Sequence, residues 1–293
     1  MISADAAALI EEATRAAIPY RLRWKTSAAR PGAHGGRQPG AGGAFRDFAP
    51  LMQYPDPRRI DMRASLRDPL GALHVRRFEQ RTAVTVMVLA DVSASMAFEG
   101  HARKMRLLAV LSAALAMSAR QYGDRFGFFG CDETVREELF LPASTKRGIE
   151  VEVVRRLLAF EPRGRSAMGL IDAARQLGGR RKLVFLLSDF HMPLRDVEAI
   201  LEALARHDVL PVLLRDGAEE VDLPRWGLAE LIDLETGRKR LAVMRPSLHA
   251  RWRNEARERD AALDRLCARY ARPLVRLSDR IDPQPLLEAL AAG

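Results

Sequence analysis

From residue 83 onward, short apolar runs alternate with longer stretches of helical period. Strand-like runs cover 83–90, 125–131, 182–188, 208–214 and 273–277. A 3.6-residue repeat marks helices over 101–121, 147–160, 167–177, 194–206, 246–270 and 283–291. The run Leu183-Val184-Phe185-Leu186-Leu187 is apolar at every position, the pattern of a parallel strand covered on both faces. Strands alternating with helices predict an α/β fold built on a doubly wound, mostly parallel sheet, with strand 83–90 near its centre. Two hairpins are expected to interrupt the alternation. One lies at 125–140, with the polar turn Cys131-Asp132-Glu133-Thr134; the other lies at 229–244 and turns at Glu235-Thr236-Gly237, where glycine supplies a positive φ.

The first 82 residues follow a different pattern. A short amphipathic helix occupies about residues 3–17. Residues 31–43 hold six glycines and two prolines and are expected to form a flexible loop. Beyond them no period is sustained, and turn signals such as Pro55-Asp56-Pro57 interrupt the chain. The expected division is therefore 1–82, an N-terminal helix, Gly-rich loop and irregular basic arm, followed by an α/β domain at 83–293.

Charge sharpens that division. The formal balance is +9, and residues 20–81 carry 13 Lys or Arg against 5 Asp or Glu, so the arm holds most of the excess. An arm of this kind suits an acidic protein surface. Nucleic acid is not the expected partner, because the few aromatics of the arm form no stacking platform. A hydrophobic content of 48% is enough for a substantial core and excludes disorder throughout. Cys131 and Cys267 fit no zinc spacing and read as small core residues of a reducing compartment. The N-terminus has early acids and no basic region ahead of an apolar one, and no apolar run approaches the roughly 20 residues of a membrane helix. A cytoplasmic protein with no membrane partner is expected.

Candidate chemistry sits where strands end. In an open α/β sheet, ligands bind beyond the carboxyl ends of the strands. Strand 83–90 runs directly into Asp91, Ser93 and Ser95 at alternate positions; strand 182–188 runs into Asp189; between them, Gly164-Arg165-Ser166 precedes a helix. Each loop alone also fits helix capping. Together they bring Asp91, Ser93, Ser95, Ser166 and Asp189 to one edge of the sheet, with Asp91 expected on a solvent-facing loop. Oxygen donors without sulfur or imidazole suit a hard cation, Mg²⁺ or Mn²⁺ before Zn²⁺. The stretch from Gly164 to Gly169 copies the glycine spacing of a phosphate-binding loop, yet Leu170 and Ile171 replace its Lys and Ser/Thr, so nucleotide hydrolysis is not expected. His34, His74, His101, His191, His207 and His249 form no HExxH pair, although His191 follows Asp189 closely enough to line the rim.

Asp91-Val92-Ser93-Ala94-Ser95 resembles the DxSxS signature of von Willebrand factor A-like domains, and Ser166 and Asp189 follow in the order of a metal-ion-dependent adhesion site. The wider chain resembles the bacterial domain-of-unknown-function family numbered 58. The resemblance rests on the Gly-rich loop, Phe45-Arg46-Asp47-Phe48, Asp56-Pro57-Arg58-Arg59-Ile60-Asp61, Arg76-Arg77-Phe78-Glu79 and Leu187-Ser188-Asp189-Phe190. It implies a von Willebrand factor A-like, Rossmann-type sheet. It also implies that Ser93, Ser95 and Ser166 supply hydroxyl ligands, directly or through water, while Asp91 and Asp189 hold coordinated waters or hydroxyls. Ser166 stands where that family usually has Thr, keeping the oxygen but losing the methyl that fixes the rotamer. The function implied is a non-catalytic adaptor that partners a MoxR-type AAA+ ATPase in maturing, or inserting metal into, a client enzyme such as methanol dehydrogenase. A Mg²⁺-dependent phosphate-ester hydrolase is the alternative use of the same oxygens, and it lacks an evident nucleophile, a Lys beside the site and a general base.

Overall fold

In chain order the elements of the computed structural model are α1 (Ala4–Arg15), β1 (Pro31–Pro50), α2 (Met62–Leu66), β2 (His74–Thr82), β3 (Thr85–Asp91), α3 (Lys104–Gln121), β4 (Arg125–Cys131) and β5 (Leu141–Ser144). They continue with α4 (Ile149–Ala159), α5 (Gly169–Gln176), β6 (Leu183–Ser188), α6 (Leu194–Ala203), β7 (Asp208–Arg215), β8 (Gly227–Ile232), β9 (Lys239–Met244), α7 (Pro246–Tyr270), β10 (Val275–Ser278) and α8 (Pro283–Ala291). The structure describes residues 3–16, 18–20, 22, 24, 31–101, 103–218, 226–232 and 239–291. Within these, only the backbone is described at 31–44, 79–81, 228–232, 239–240 and 242. No helix among the described residues is long and apolar enough to cross a membrane.

Two compact units result: one comprises Met1–Arg21, Thr85–Gln121 and Arg125–Gly293, the other Leu22–Val84 and Tyr122–Asp124. The first is an α/β unit around a six-stranded sheet of order β10-β7-β6-β3-β4-β5, all parallel except β5. Strand β3 is interior, as its unbroken apolar pattern predicts: Val86, Met87, Val88, Leu89 and Ala90 are all buried. On one face, Met87, Leu89, Val184 and Leu186 pack into a cluster with Leu170, Val197, Ile200, Leu201, Leu263 and Cys267 of α5, α6 and α7. Each such side chain contributes about 1.5–3 kcal/mol by leaving water. Helix α3 is apolar almost throughout, with Leu107, Leu108, Val110, Leu111 and Leu115 buried.

Helix α1 groups with this unit, not with the arm to which the sequence pattern assigned it. Its apolar residues Leu9 and Ala13 are buried, it packs on α3 and α4, and Ile18 donates its amide to Ser118 Oγ at 3.1 Å. At the other end of the chain, the fully buried Arg272 donates to both carboxylate oxygens of Asp208 at 2.9 and 2.6 Å and to the carbonyls of Ala289 and Leu290 at 3.0 and 2.9 Å. A buried guanidinium with its donors met this way ties the start of β7 to the end of α8.

Both expected hairpins form, one of them differently. Strands β8 and β9 pair antiparallel from Gly227↔Met244 to Ile232↔Lys239, and the turn expected at 235–237 lies outside the described residues. Strand β4 pairs with 141–144, beyond the expected 125–140, because buried Asp132 gathers the intervening chain. Its carboxylate accepts from Arg136 Nε at 2.7 Å and from the Thr134 amide at 3.2 Å, and a 3-10 turn at Glu137–Leu139 follows.

In the second unit, residues 31–43 are not the flexible loop expected. They form part of β1, antiparallel to β2, with register shifts between Pro31 and His34, Gly35 and Pro39, Gly40 and Phe45, and Phe45 and Asp47. Glycine and proline weaken a strand without forbidding it, and β2 offers a row of backbone partners that a lone segment lacks. Much of the basic charge is met locally: Arg77 pairs with Asp47, Arg59 with Asp56 at 3.0 Å, and Arg76 with Asp61, which also caps α2. Arg58, Arg63 and Arg67 are exposed.

His207 supplies a test of the core. Its Nε2–H donates to the Leu177 carbonyl at 2.9 Å and its Nδ1 accepts the Lys182 amide at 3.3 Å, so the buried ring is held neutral. Burial, then the Lys182 charge, push its pKa down to about 4. The unfolded ring titrates near 6.5, so stability is fully present above that value and is lost as pH falls toward 4. Urea unfolding of His207→Gln is expected to show a smaller loss between neutral pH and pH 4.5 than the parent, whereas parallel losses would contradict the assignment.

Candidate metal centre

The chain leaves β3 for β4 and β5 on one side and returns for β6, β7 and β10 on the other, so the topological switch lies between β3 and β6. A crevice at the carboxyl ends of such strands is where α/β sheets bind ligands. The register pairs Ala90 with Leu187, which sets Asp91 beside Ser188 one residue on. Ser188 Oγ donates to Asp91 Oδ2 at 2.6 Å, and Asp91 Oδ1 accepts the Ser93 amide at 2.9 Å. Asp91 is therefore buried, with 1% exposure, rather than on a solvent-facing loop. Parallel pairing reaches Asp91 on the β4 side and Ala90 on the β6 side and so encloses the end of β3.

Ser93 stands at the N-cap of a 3-10 turn, Ala94–Ala97, yet its hydroxyl caps nothing. Its Oγ lies 3.2 Å from Ser95 Oγ, and both residues are buried. Two cis ligands on a Mg²⁺-sized ion stand about 2.9 Å apart, given 2.0–2.1 Å bonds, so this pair fits a shared hard cation. The capping alternative fails at the residue that matters most to it.

The second loop joins the first directly. Gly164 bridges Ser93, and its carbonyl accepts the Ala94 amide at 2.7 Å, which places half-buried Ser166 two residues from the junction. A Cβ on Gly164 would stand 2.3 Å from Asp132 Cβ, and one on Gly169 would stand 2.4 Å from the Thr134 backbone. The phosphate-loop spacing of these glycines thus reflects close packing against 132–134.

The third loop brings Asp189, 5% exposed. Ser188 Oγ also accepts the Phe190 amide at 2.8 Å, Phe190 adopts φ +50°, and Arg259 donates to the carbonyls of Phe190 and Met192. Asp189 Oδ2 lies 2.7 Å from Lys104 Nζ and 2.9 Å from His191 Nδ1, while Oδ1 accepts the His191 amide at 3.2 Å. Sequence patterning marks the cluster Leu187-Ser188-Asp189-Phe190 but assigns no role to Ser188, and it does not point to Lys104. Lys104, at the head of α3, is wholly buried, and its polarity at the front of an apolar helix was the available signal.

Burial, then the charge of Asp189, push Asp91 up to about 6. Burial acts on Asp189 in the same direction, but the hydrogen bond and charge of His191, with the Lys104 ammonium, outweigh it and hold that carboxyl below the usual range. Burial raises the thiol of Cys131, the partner of Asp91 on β4, which removes it as a nucleophile. A separate trio, His101, Asp216 and Asp279, brings potential ligand atoms within 4.8 Å of one another. Asp216 there accepts the amides of Gly100, His101 and Ala218 at 2.8–2.9 Å, a loop-fixing role.

Fold and site thus define an α/β domain in which the loops after β3 and β6 bring the Ser93 and Ser95 hydroxyls and the Asp91 and Asp189 carboxylates to the switch point of a parallel sheet, with the Gly164 loop bridged to Ser93. The chain belongs to the family described as "Protein of unknown function DUF58", whose pattern it matches over residues 53–262. It is 43% identical over 97 residues to an uncharacterized protein in the moxR 3' region of Paracoccus denitrificans, covering 33% of this chain and 92% of that one. It is 26% identical over 265 residues to the uncharacterized protein Rv1480 of Mycobacterium tuberculosis, covering 89% and 82%. Among solved structures it is similar to the conserved hypothetical protein BatB from Bacteroides thetaiotaomicron, with 14% identity, TM-score 0.45 and coverage of 72% and 100%.

The junction of the first two loops depends on the absence of a side chain at 164. Gly164→Ala is expected to lower the free energy of unfolding by about 1–3 kcal/mol, the usual range for overpacking. Gly178→Ala, where nothing lies within 4 Å of an added Cβ, is the matched control. Equal urea midpoints for the two variants would contradict the close-packing account.

Proposed function

We propose that this protein is a non-catalytic, metal-dependent binding module whose hard divalent cation, Mg²⁺ or Mn²⁺, is held by Ser93, Ser95 and Ser166 with Asp91 and Asp189 behind them. The observation that carries this reading is the uncapped Ser93 hydroxyl 3.2 Å from Ser95 Oγ, next to two buried carboxylates. Neutral hydroxyls in contact with the ion leave it attractive to an incoming carboxylate, so an acidic group on a partner is the complementary ligand. When bound, the cation supplies this electrostatic attraction. The chain's own residues orient the hydroxyls and hold the carboxylates.

The partner we propose is a MoxR-type AAA+ ATPase, with a client enzyme whose maturation or metal insertion it assists in the cytoplasm. The relative in the moxR 3' region of Paracoccus denitrificans supports the ATPase. The exposed Arg58, Arg63 and Arg67 support an acidic partner surface, since such charges raise association rates in a salt-dependent way. The phosphate-ester hydrolase gains a Lys beside the site, a residue its sequence case lacked. Lys104 is nevertheless fully buried and engaged with Asp189, and no activated nucleophile accompanies it among the described residues.

Binding of the purified protein to the MoxR-type ATPase of the same genome, followed by biolayer interferometry, tests the proposal. Asp91→Asn and chelation by EDTA are each expected to weaken the complex at least about tenfold through faster dissociation. Arg58→Glu combined with Arg63→Glu is expected to slow association and flatten its salt dependence. Ser166→Thr should retain or tighten metal binding, through its stiffer rotamer. Metal-independent binding, or phosphate-ester turnover that vanishes in Asp91→Asn, would sink the adaptor reading.

A further inference from the structure

Lys104 is the least expected resident of this site. A lysine is almost never fully buried unless its charge is paired, and here the side chain is wholly enclosed at the start of α3. Its Nζ sits 2.7 Å from Asp189 Oδ2 and 5.7 Å from the centroid of the Phe98 ring, which offers a favourable face to a cation. His191 Nδ1 approaches the same Oδ2 at 2.9 Å, and the His191 amide takes Oδ1. Both oxygens of Asp189 are thus engaged inside the protein. Both oxygens of Asp91 are engaged as well, by the Ser93 amide and the Ser188 hydroxyl.

We infer that Lys104 is a tethered counter-ion of the centre, competing with the divalent cation for the Asp189 carboxylate. The inference rests on the metal-binding reading and deepens it. Two carboxylates and one ammonium, with the His191 imidazole also against Asp189, leave the metal-free site with at most a single net negative charge. An arriving divalent ion meets only that charge, so its affinity is lower than two unpaired carboxylates would give. The same count leaves the loaded site with a net positive charge, which favours an anionic carboxylate over a neutral carbonyl as the partner's contribution. Lys104 is therefore a specificity-determining residue: it holds the empty site together, weakens retention of metal alone and biases the loaded site toward acidic ligands.

The test uses the full chain with Mn²⁺ or Mg²⁺ alone as the probe. Lys104→Met keeps the length and apolar stem of the side chain and removes the charge. It is expected to bind Mn²⁺ at least tenfold more tightly than the parent by calorimetry, equivalent to about 1.4 kcal/mol. Its thermal midpoint should fall in EDTA and recover with Mg²⁺, by a larger shift than the parent shows. Lys104→Gln, whose amide still donates to Asp189 without charge, guards against a folding failure and should move the same way. Folded variants with Mn²⁺ affinity equal to or below the parent's overturn the inference while leaving the metal reading intact. If the parent and both variants bind no Mn²⁺, the metal reading itself falls and takes the inference with it. Variants that stay unfolded even in Mg²⁺ assign Lys104 a purely structural role and also overturn the inference.

Discussion

Two carboxylates, Asp91 and Asp189, are held out of water where parallel strands end, and the surrounding architecture answers the cost of holding them there. A buried ion loses several kcal/mol of hydration unless partners replace it. Here the replacement comes in kind: a backbone amide and a hydroxyl for Asp91, an ammonium, an imidazole and an amide for Asp189. Asp91, without a cation in direct contact, is the one whose pKa rises, to about 6, while Asp189 is held low. The hydrogen bonds to Asp91 come from neutral donors while Asp189 is paired with the Lys104 ammonium, so the Asp91 end, beside Ser93 and Ser95, is the part of the site farther from a paired cation.

The placement follows from topology. Neighbouring parallel strands β3 and β6 deliver their last residues to the same level, and the register brings Ser188 against Asp91. Ser188 then serves two loops at once, donating to Asp91 and accepting from the Phe190 amide in the turn that carries Asp189. The Gly164 loop completes the arrangement through its bridge to Ser93, at a distance from Asp132 that only glycine permits. A site assembled from backbone registers in this way is stiff, which suits selection of one ion size over another.

How much of this the sequence displayed depends on the range of the interaction. The apolar runs at 86–90 and 183–187 announce buried parallel strands because each residue reports its own burial, and the motif at 91–95 lies on one continuous stretch. The roles of Lys104 and Ser188 were hidden, since each acquires meaning only through a partner 85 or 97 residues away. Asp91 was misplaced toward solvent because its loop pattern conceals the enclosure by β4 and β6. The glycines at 31–43 read as a loop because local composition cannot show that β2 supplies a ladder for them. Helix α1 was assigned to the arm by proximity in sequence, whereas its buried Leu9 belongs with α3 and α4.

The central claim is that a hard cation lies between the Ser93 and Ser95 hydroxyls. The most direct measurement is an anomalous difference map from crystals grown with Mn²⁺, recorded on both sides of the manganese edge. The account predicts a peak in contact with these two hydroxyls, near Ser166 and with Asp91 and Asp189 behind it. A map without that peak, or with manganese only at His101, Asp216 and Asp279, would contradict it.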